Sequence, residues 1–212
     1  MVKHAITSVN QSHMTPPLAN VLGLVMAGGQ SSRMGQDKAA LSKDGLTLLE
    51  RAKLVLKRAN VSEIIVSAND IDGACKDIVP NKGPLGAIWS VLNHQIITNQ
   101  SVMLIVPVDM PLLSPESLEY LYNKSLACQN TCYFEASFLP LCLVINDALY
   151  SKLEQSIQSE DRSLRALLHA LGADKLVMPT WLAKGDEFFN LNTPEQWQRF
   201  SLEMQNNPEK RN

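Results

Sequence analysis

The sequence predicts a three-layer α/β domain built on a mostly parallel central sheet. Strand-like runs alternate along the chain with segments whose apolar residues recur at helical spacing. The early runs, Val21 to Met26 and Val102 to Val106, are continuously apolar and do not alternate. Strands of that kind are covered by helices on both faces, as in a parallel sheet. At 212 residues, with 45% hydrophobic and 19% charged residues, the chain is large and apolar enough for one substantial core, and wholesale disorder is excluded.

Each element has a local reason. Residues 1–20 are polar, contain Thr15-Pro16-Pro17 and show no period, which predicts a flexible arm before a single domain over 21–204. Val21 to Met26 reads as a buried strand ending in the turn Ala27-Gly28-Gly29. Leu46 to Ala59 carries apolar residues at 48, 49, 52, 55, 56 and 59, a helical stripe. Ile64-Ile65-Val66 marks a strand over Glu63 to Ser67. Ile78-Val79 predicts a shorter strand stopped by Pro80. Pro84 to His94 reads as a helix packed through Leu85, Ile88, Trp89 and Leu92. Pro107 closes the strand from Val102. Ser114-Pro115 pairs a good N-cap with Pro at the first helical position, and the helix packs through Leu118, Leu121 and Tyr122. Cys132 to Phe134 and Leu141 to Ile145 are strand-like. Ser163 to Leu171 reads as a helix stopped by Gly172, and Leu176 to Met178 as a last strand. Thr193-Pro194-Glu195-Gln196 is a capping box opening a helix with Trp197 and Phe200. The tail over 205–212 is expected to fray.

Composition narrows the function classes. Lys plus Arg is 19 and Asp plus Glu is 21, a net charge of −2, which suits neither a nucleic-acid coat nor a polybasic membrane binder. Cys75, Cys128, Cys132 and Cys142 form no C-x-x-C pair, and reduced buried thiols are expected. Met1 to Asn20 has no apolar core of a signal peptide. Gly83 to Val108 lacks charged residues but is interrupted by Asn93, His94, Gln95, Asn99 and Gln100, so it does not read as a membrane span. A soluble, cytoplasmic protein is expected.

In open α/β sheets ligands bind beyond the C-terminal ends of the strands. That directs attention to 27–38, 67–73, 80–84 and 107–114. The first loop, Ala27 to Lys38, holds three glycines, Ser31 and Ser32, and the cations Arg33 and Lys38. Glycines let the backbone approach a ligand closely, and successive amides make an anion-binding concavity. Spacing excludes two common phosphate loops. Gly23 and Gly28 have the gap of a Walker A loop, but Gly29-Gln30 follows where Lys-Ser/Thr is required. G-x-G-x-x-G is absent.

Met26 to Leu41, Met-Ala-Gly-Gly-Gln-Ser-Ser-Arg-Met-Gly-Gln-Asp-Lys-Ala-Ala-Leu, closely resembles the signature loop of molybdenum cofactor guanylyltransferases, which belong to the nucleotidyltransferases of Rossmann-like fold. Ser67-Ala68-Asn69, Gly83-Pro84-Leu85-Gly86, Pro107-Val108-Asp109-Met110-Pro111 and Phe189-Asn190-Leu191-Asn192-Thr193-Pro194 resemble further family motifs, in order. The resemblance spans about residues 21–200. It implies transfer of GMP from GTP to the phosphate of the molybdenum cofactor, with release of pyrophosphate and a need for Mg²⁺. It implies nucleotide contacts from Met26, Ala27, Gly28, Gly29 and Asn69, and charge stabilisation by Arg33 and Lys38. Asp109 would ligate Mg²⁺, and Asn190 and Asn192 would contact ligand or acceptor. Proteins that donate the cofactor or receive the product during molybdoenzyme maturation are implied partners. The chain departs from the family in three places. No Asp stands between Ile78-Val79 and Gly83, since Asp77 precedes that predicted strand. Ala87 replaces a second glycine. Ser137-Phe138-Leu139 replaces an Arg or His before Pro140-Leu141.

Plainer readings stand beside these. Asp109 can cap the turn at Met110-Pro111, Lys38 can be a solvated cation, Asn69 can form a turn with Asp70, and Asn190 and Asn192 can brace the last helix. Lys38 is expected to be exposed. Two other functions share the motifs. One is cytidylyl or sugar-phosphate nucleotidyl transfer, and the other is a non-catalytic nucleotide-binding module.

Overall fold

A computed structural model describes residues 18, 20–28, 38–94, 101–182 and 186–206. Chain order begins with β1 (Val21–Met26), a short 3-10 turn (Lys38–Ala40), β2 (Ser42–Lys43), β3 (Leu46–Thr47), α1 (Leu48–Arg58) and β4 (Glu63–Ser67). It continues with α2 (Gly83–His94), β5 (Val102–Pro107), α3 (Pro115–Cys128), β6 (Cys132–Phe134) and β7 (Leu141–Val144). The last elements are α4 (Asp147–Gln158), α5 (Leu164–Ala170), β8 (Asp174–Leu176) and α6 (Pro194–Asn206). The six-stranded sheet has the order β4-β1-β5-β7-β6-β8, and β2 and β3 form a separate two-stranded ladder. The ladders β4·β1, β1·β5 and β6·β8 are parallel, whereas β7 runs antiparallel to both its neighbours.

The unbroken apolar runs are explained by two cores, one on each face of the sheet. Leu22, Leu24 and Met26 of β1 and Met103 and Ile105 of β5 meet Leu85, Ile88 and Val91 of α2 and Leu149 and Leu153 of α4. The alternate residues Val21, Val25, Val102, Leu104 and Val106 meet Ala52, Val55 and Leu56 of α1 and Leu118, Leu121 and Tyr122 of α3. Successive side chains of a strand point to opposite faces, so a strand between two helical layers must be apolar at every position. Gly23 takes part by having no side chain. A Cβ there would come within 3.1 Å of Leu56 Cδ1 and of Val61 Cγ1. A third cluster joins Ala39, Leu48, Val108, Leu191, Phe200 and Met204, and docks α6 beside the C-terminal end of β5.

Several elements depart from the sequence expectation. The helix expected from Leu46 starts at Leu48, because Thr47 is its N-cap in a reciprocal capping box with Glu50. Ile78-Val79 is no strand. The Ile78 amide donates to buried Ser90 Oγ at 2.8 Å, which leaves it unavailable to a ladder, and Ile78 is exposed. The chain touches the sheet earlier, at a single parallel bridge between Cys75 and Ser67. Helix α4 has no counterpart among the predicted elements, although Asn146 caps it and Leu149, Leu153 and Ile157 recur at helical spacing. The last strand lies two residues earlier than expected, where Asp174 pairs with Cys132 and Leu176 with Phe134. Helix α6 continues through Asn206, into the segment expected to fray, and Met204 is fully buried. Within the expected arm, Leu18 donates to Asn60 O at 3.1 Å and packs on the second core; residues 1–17 and 19 lie outside the described residues.

Cys75, Cys132 and Cys142 are buried free thiols, but Cys128 is exposed. Burial pushes the Cys142 thiol up to about 12, so it stays protonated at neutral pH. No helix among the described residues is long and apolar enough to cross a membrane.

Candidate active site

Parallel pairing aligns the C-terminal ends of β4, β1 and β5: Met26 lies opposite Ser67 on one side and Pro107 on the other. The chain beyond each end is stitched to its neighbour. The Ala27 and Gly28 amides both donate to Ser67 O, at 3.0 and 3.1 Å, and the Val108 amide donates to Met26 O at 3.0 Å. Met26, Ala27, Gly28, Asn69 and Asp109 thus come from three strand ends along one sheet edge. Gly28 does not adopt the left-handed conformation that only glycine favours. A Cβ there would meet Ala68 Cα at 3.6 Å and Ser67 O at 3.7 Å, which is ordinary contact. Packing among the described residues would accept a methyl group at Gly28. Gly29 and Arg33 lie outside the described residues.

Lys38, at the far end of that loop, carries the central contact. Its Nζ donates to Asn192 Oδ1 at 2.6 Å and stands 3.4 Å from Asp109 Oδ2. The Lys38 and Asp109 side chains are 17% and 23% exposed. The expectation of an exposed lysine is therefore corrected: Ala39 beside it is buried in the third cluster and draws the turn inward. Asn192 is held by its own backbone, whose amide donates to Gln196 Oε1 at 2.6 Å. The Leu191 amide donates to Asp109 O at 2.8 Å, tying the segment before α6 to the end of β5. Asn190 is not part of the Lys38 contact; its Nδ2 donates to Phe188 O at 3.2 Å.

Asn69 is paired with a residue that the sequence reading set aside. Asn69 Nδ2 donates to Asp77 Oδ2 at 3.2 Å, and the Asp77 amide donates to Asn69 Oδ1 at 2.9 Å. Because the third strand is reduced to the bridge at Cys75, Asp77 follows it by two residues. An Asp after the third strand is therefore present, and the reading that placed Asp77 before the strand is corrected. The available signal was Ile78-Val79-Pro80, too short for a secure strand. The glycine motif that opens α2 is close by. Gly83 adopts φ +54°, and a Cβ on Gly86 would press to 3.0 Å from Lys82 Cβ and 3.2 Å from Val79 O.

The edge so assembled combines the Lys38 ammonium, the Asp109 and Asp77 carboxylates and the Asn69 and Asn192 side-chain amides. The Asp109 carboxylate and the Asn192 amide oxygen are hard donors. Such a set suits Mg²⁺, which takes one or two carboxylates and fills its shell with water and phosphate oxygens. A glycine at position 28, with no side chain at the strand end, suits the close approach of a phosphate chain. These features define an α/β domain equipped to handle a nucleoside triphosphate.

Comparison with known proteins gives the particular class. Residues 23–176 match the model of the MobA-like NTP transferase domain. The chain is 40% identical over 181 residues to the molybdenum cofactor guanylyltransferase of Xanthomonas euvesicatoria pv. vesicatoria, covering 84% of this chain and 92% of that one. It is 32% identical over 203 residues to the molybdenum cofactor guanylyltransferase of Rhizobium meliloti, covering 87% and 90%. The crystal structure of molybdopterin-guanine dinucleotide biosynthesis protein A from Archaeoglobus fulgidus shares the fold, with a TM-score of 0.70 at 21% identity, over 88% of this chain and 100% of that one. The chain belongs to the MobA-like NTP transferase family.

Proposed function

We propose that this chain transfers GMP from GTP to the phosphate of the molybdenum cofactor, forming the guanine dinucleotide cofactor and pyrophosphate. The observation that carries the reading is the meeting of Lys38, Asp109 and Asn192 at the sheet edge where the chain leaves β1 toward Gly28. The names of both relatives support guanylyl transfer to this acceptor. They favour it over cytidylyl or sugar-phosphate transfer, and over a non-catalytic role.

In the proposed reaction an oxygen of the acceptor's phosphate forms a bond to the α-phosphorus of GTP. The bond from that phosphorus to the oxygen bridging to the β-phosphate breaks, and pyrophosphate leaves with the electron pair. Transfers of this type rest on positioning and charge stabilisation, so no covalent nucleophile is needed. Backbone groups of Met26, Ala27, Gly28 and Gly29 hold the nucleotide. Lys38 and Arg33 offset the triphosphate charge and that of the departing pyrophosphate. Asn69, fixed by Asp77, contacts the nucleoside. Asn192 keeps the Lys38 ammonium from collapsing fully onto Asp109, and Asn190 and Asn192 border the acceptor. Asp109 would hold Mg²⁺, which when bound supplies positive charge against the phosphate oxygens. Hand-over of cofactor from and to maturation proteins belongs to the same reading, as does a cytoplasmic site of action.

The test is pyrophosphate release with molybdenum cofactor and GTP, CTP or ATP, at several Mg²⁺ concentrations. GTP is expected to be used best. Asp109→Asn keeps the side-chain shape and is expected to lose about 10² to 10⁴ in turnover, the equivalent of several kcal/mol of charge stabilisation. Part of the loss should return at high Mg²⁺. Equal use of the three nucleotides removes the guanylyl assignment. Wild-type turnover and Mg²⁺ response in the variant remove Asp109 from the site.

A further inference from the structure

At the opposite end of α3 from the Asp109 loop, three side chains converge that the nucleotide site does not use. Cys128 ends α3, Cys132 begins β6 and Asp174 begins β8. Their two sulfurs and a carboxylate oxygen all lie within 4.8 Å of one another. The sulfurs are 3.4 Å apart. A fourth group joins them: Asn130 O lies 3.5 Å from Cys132 Sγ and 3.9 Å from Cys128 Sγ.

We propose that Cys128, Cys132 and Asp174 form a binding site for a borderline-soft divalent cation of the Zn²⁺ type, structural in role. Two thiolates with a carboxylate are a ligand set that zinc accepts, and three protein ligands leave a fourth position for water or the Asn130 carbonyl. Binding releases the two thiol protons to solvent, and no electron is transferred.

Distances decide between this cation and a disulfide. Two sulfurs about 2.3 Å from a tetrahedral zinc stand about 3.8 Å apart, so the observed pair needs to open by only about 0.4 Å. A disulfide requires about 2.05 Å, a closure more than three times as large. The carboxylate separates the two cases as well, because a disulfide has no use for it.

The turn between α3 and β6 is built to hold this arrangement. Gln129 adopts φ 54°, which reverses the chain after Cys128. Asn130 fixes the turn from several directions. Its Nδ2 donates to Gly172 O at 2.9 Å and to Asp174 Oδ2 at 3.3 Å, orienting the carboxylate. Its Oδ1 accepts from the Thr131 amide at 2.8 Å, and its carbonyl accepts from Ser125 Oγ at 2.6 Å. Polar partners that orient a ligating group are a regular feature of metal sites. A cation here would pin the short edge strand β8 to the end of α3.

The experiment uses the full chain, purified anaerobically and freed of metal, titrated with Co²⁺ as a coloured stand-in for Zn²⁺. A thiolate-to-cobalt charge-transfer band saturating at one equivalent is expected, and Zn²⁺ should abolish it. Cys128→Ser should at least halve the band and weaken Zn²⁺ at least tenfold. Asp174→Asn should weaken Zn²⁺ at least tenfold with the band retained. Cys75→Ala, remote from the cluster, should change neither. Cys128 is exposed and Asp174 half-buried, so both substitutions leave the core intact, and circular dichroism verifies that. Absence of the band in the wild-type chain overturns the proposal, as does unchanged Zn²⁺ affinity in Cys128→Ser. A count of two free thiols in place of four, before any reductant is added, assigns the pair to a disulfide and also overturns it.

Discussion

Gly28→Ala separates a glycine needed by the fold from one needed by a ligand. Among the described residues a new Cβ at Gly28 meets nothing closer than 3.6 Å, and the backbone there is outside the left-handed region. The folded state therefore gains no clash. The unfolded chain loses freedom, so stability should hold or rise by about 0.4 to 1 kcal/mol. In a chain of this size that is at most about 4 °C in Tm. A phosphate chain lying against the Ala27 and Gly28 backbone would meet the methyl group directly. Displacing it by about 1 Å weakens the polar contacts that the site makes with a charged ligand, each worth about 1.5 to 3 kcal/mol. Loss of one contact predicts a rise in GTP Kd of about 10- to 100-fold. Calorimetric titration with GTP and a thermal melt without ligand measure the two quantities on the same sample. Unchanged GTP affinity in a well-folded variant would refute the close approach at Gly28. A large fall in Tm would show that the glycine serves the fold.

Asn192→Ala removes the 2.6 Å acceptor of the Lys38 ammonium and lets it close on Asp109. Turnover is expected to fall about tenfold, from the lower end of a charged hydrogen bond at a partly exposed site, with a raised Mg²⁺ requirement in the pyrophosphate assay; an unaltered Mg²⁺ profile would contradict this. Gly86→Ala places a Cβ 3.2 Å from the Val79 carbonyl and 3.0 Å from Lys82 Cβ, and a loss of about 1 to 3 kcal/mol is expected by urea denaturation. Glu50 accepts from the Thr47 amide and hydroxyl, which holds its carboxyl below the usual glutamate range. A depressed folded pKa contributes stability above the unfolded value of about 4.3 that is lost as pH falls through the folded pKa. Glu50→Gln should therefore lower Tm at pH 7, and the gap to wild type should narrow as the medium is acidified below pH 4.

Local physics made much of the framework readable. Val21–Met26 and Val102–Pro107 are apolar at both parities because two helical layers cover them, and Ser114 and Thr193 act as caps where their sequence context placed them. The signal for α4 is present in Leu149, Leu153 and Ile157, which recur at helical spacing. Ile78-Val79 misled because a distant acceptor, Ser90 Oγ, takes the Ile78 amide. The same event hid Asp77, whose place beside Asn69 depends on where the strand ends. The motifs containing Lys38, Asp109 and Asn192 were each visible. Their meeting was not, since Lys38 and Asn192 are 154 positions apart and no local period encodes that contact.

The tether from Leu191 to the end of β5 has a consequence for the order of events during synthesis. The strands that carry Met26, Asn69 and Asp109 leave the ribosome well before residue 186. Chains begin folding from the N-terminal side as they emerge, so a nascent chain can build the parallel half of the sheet early. It still lacks Asn192, the buried Leu191 and the helix whose Phe200 and Met204 complete the third cluster. Until that last stretch arrives, the third cluster is open and the Lys38 ammonium lacks the Asn192 acceptor that it has at 2.6 Å in the finished domain. A chain cut off before residue 186 would thus hold the parallel half of the sheet but neither the cluster nor the acceptor that fix Lys38 beside Asp109.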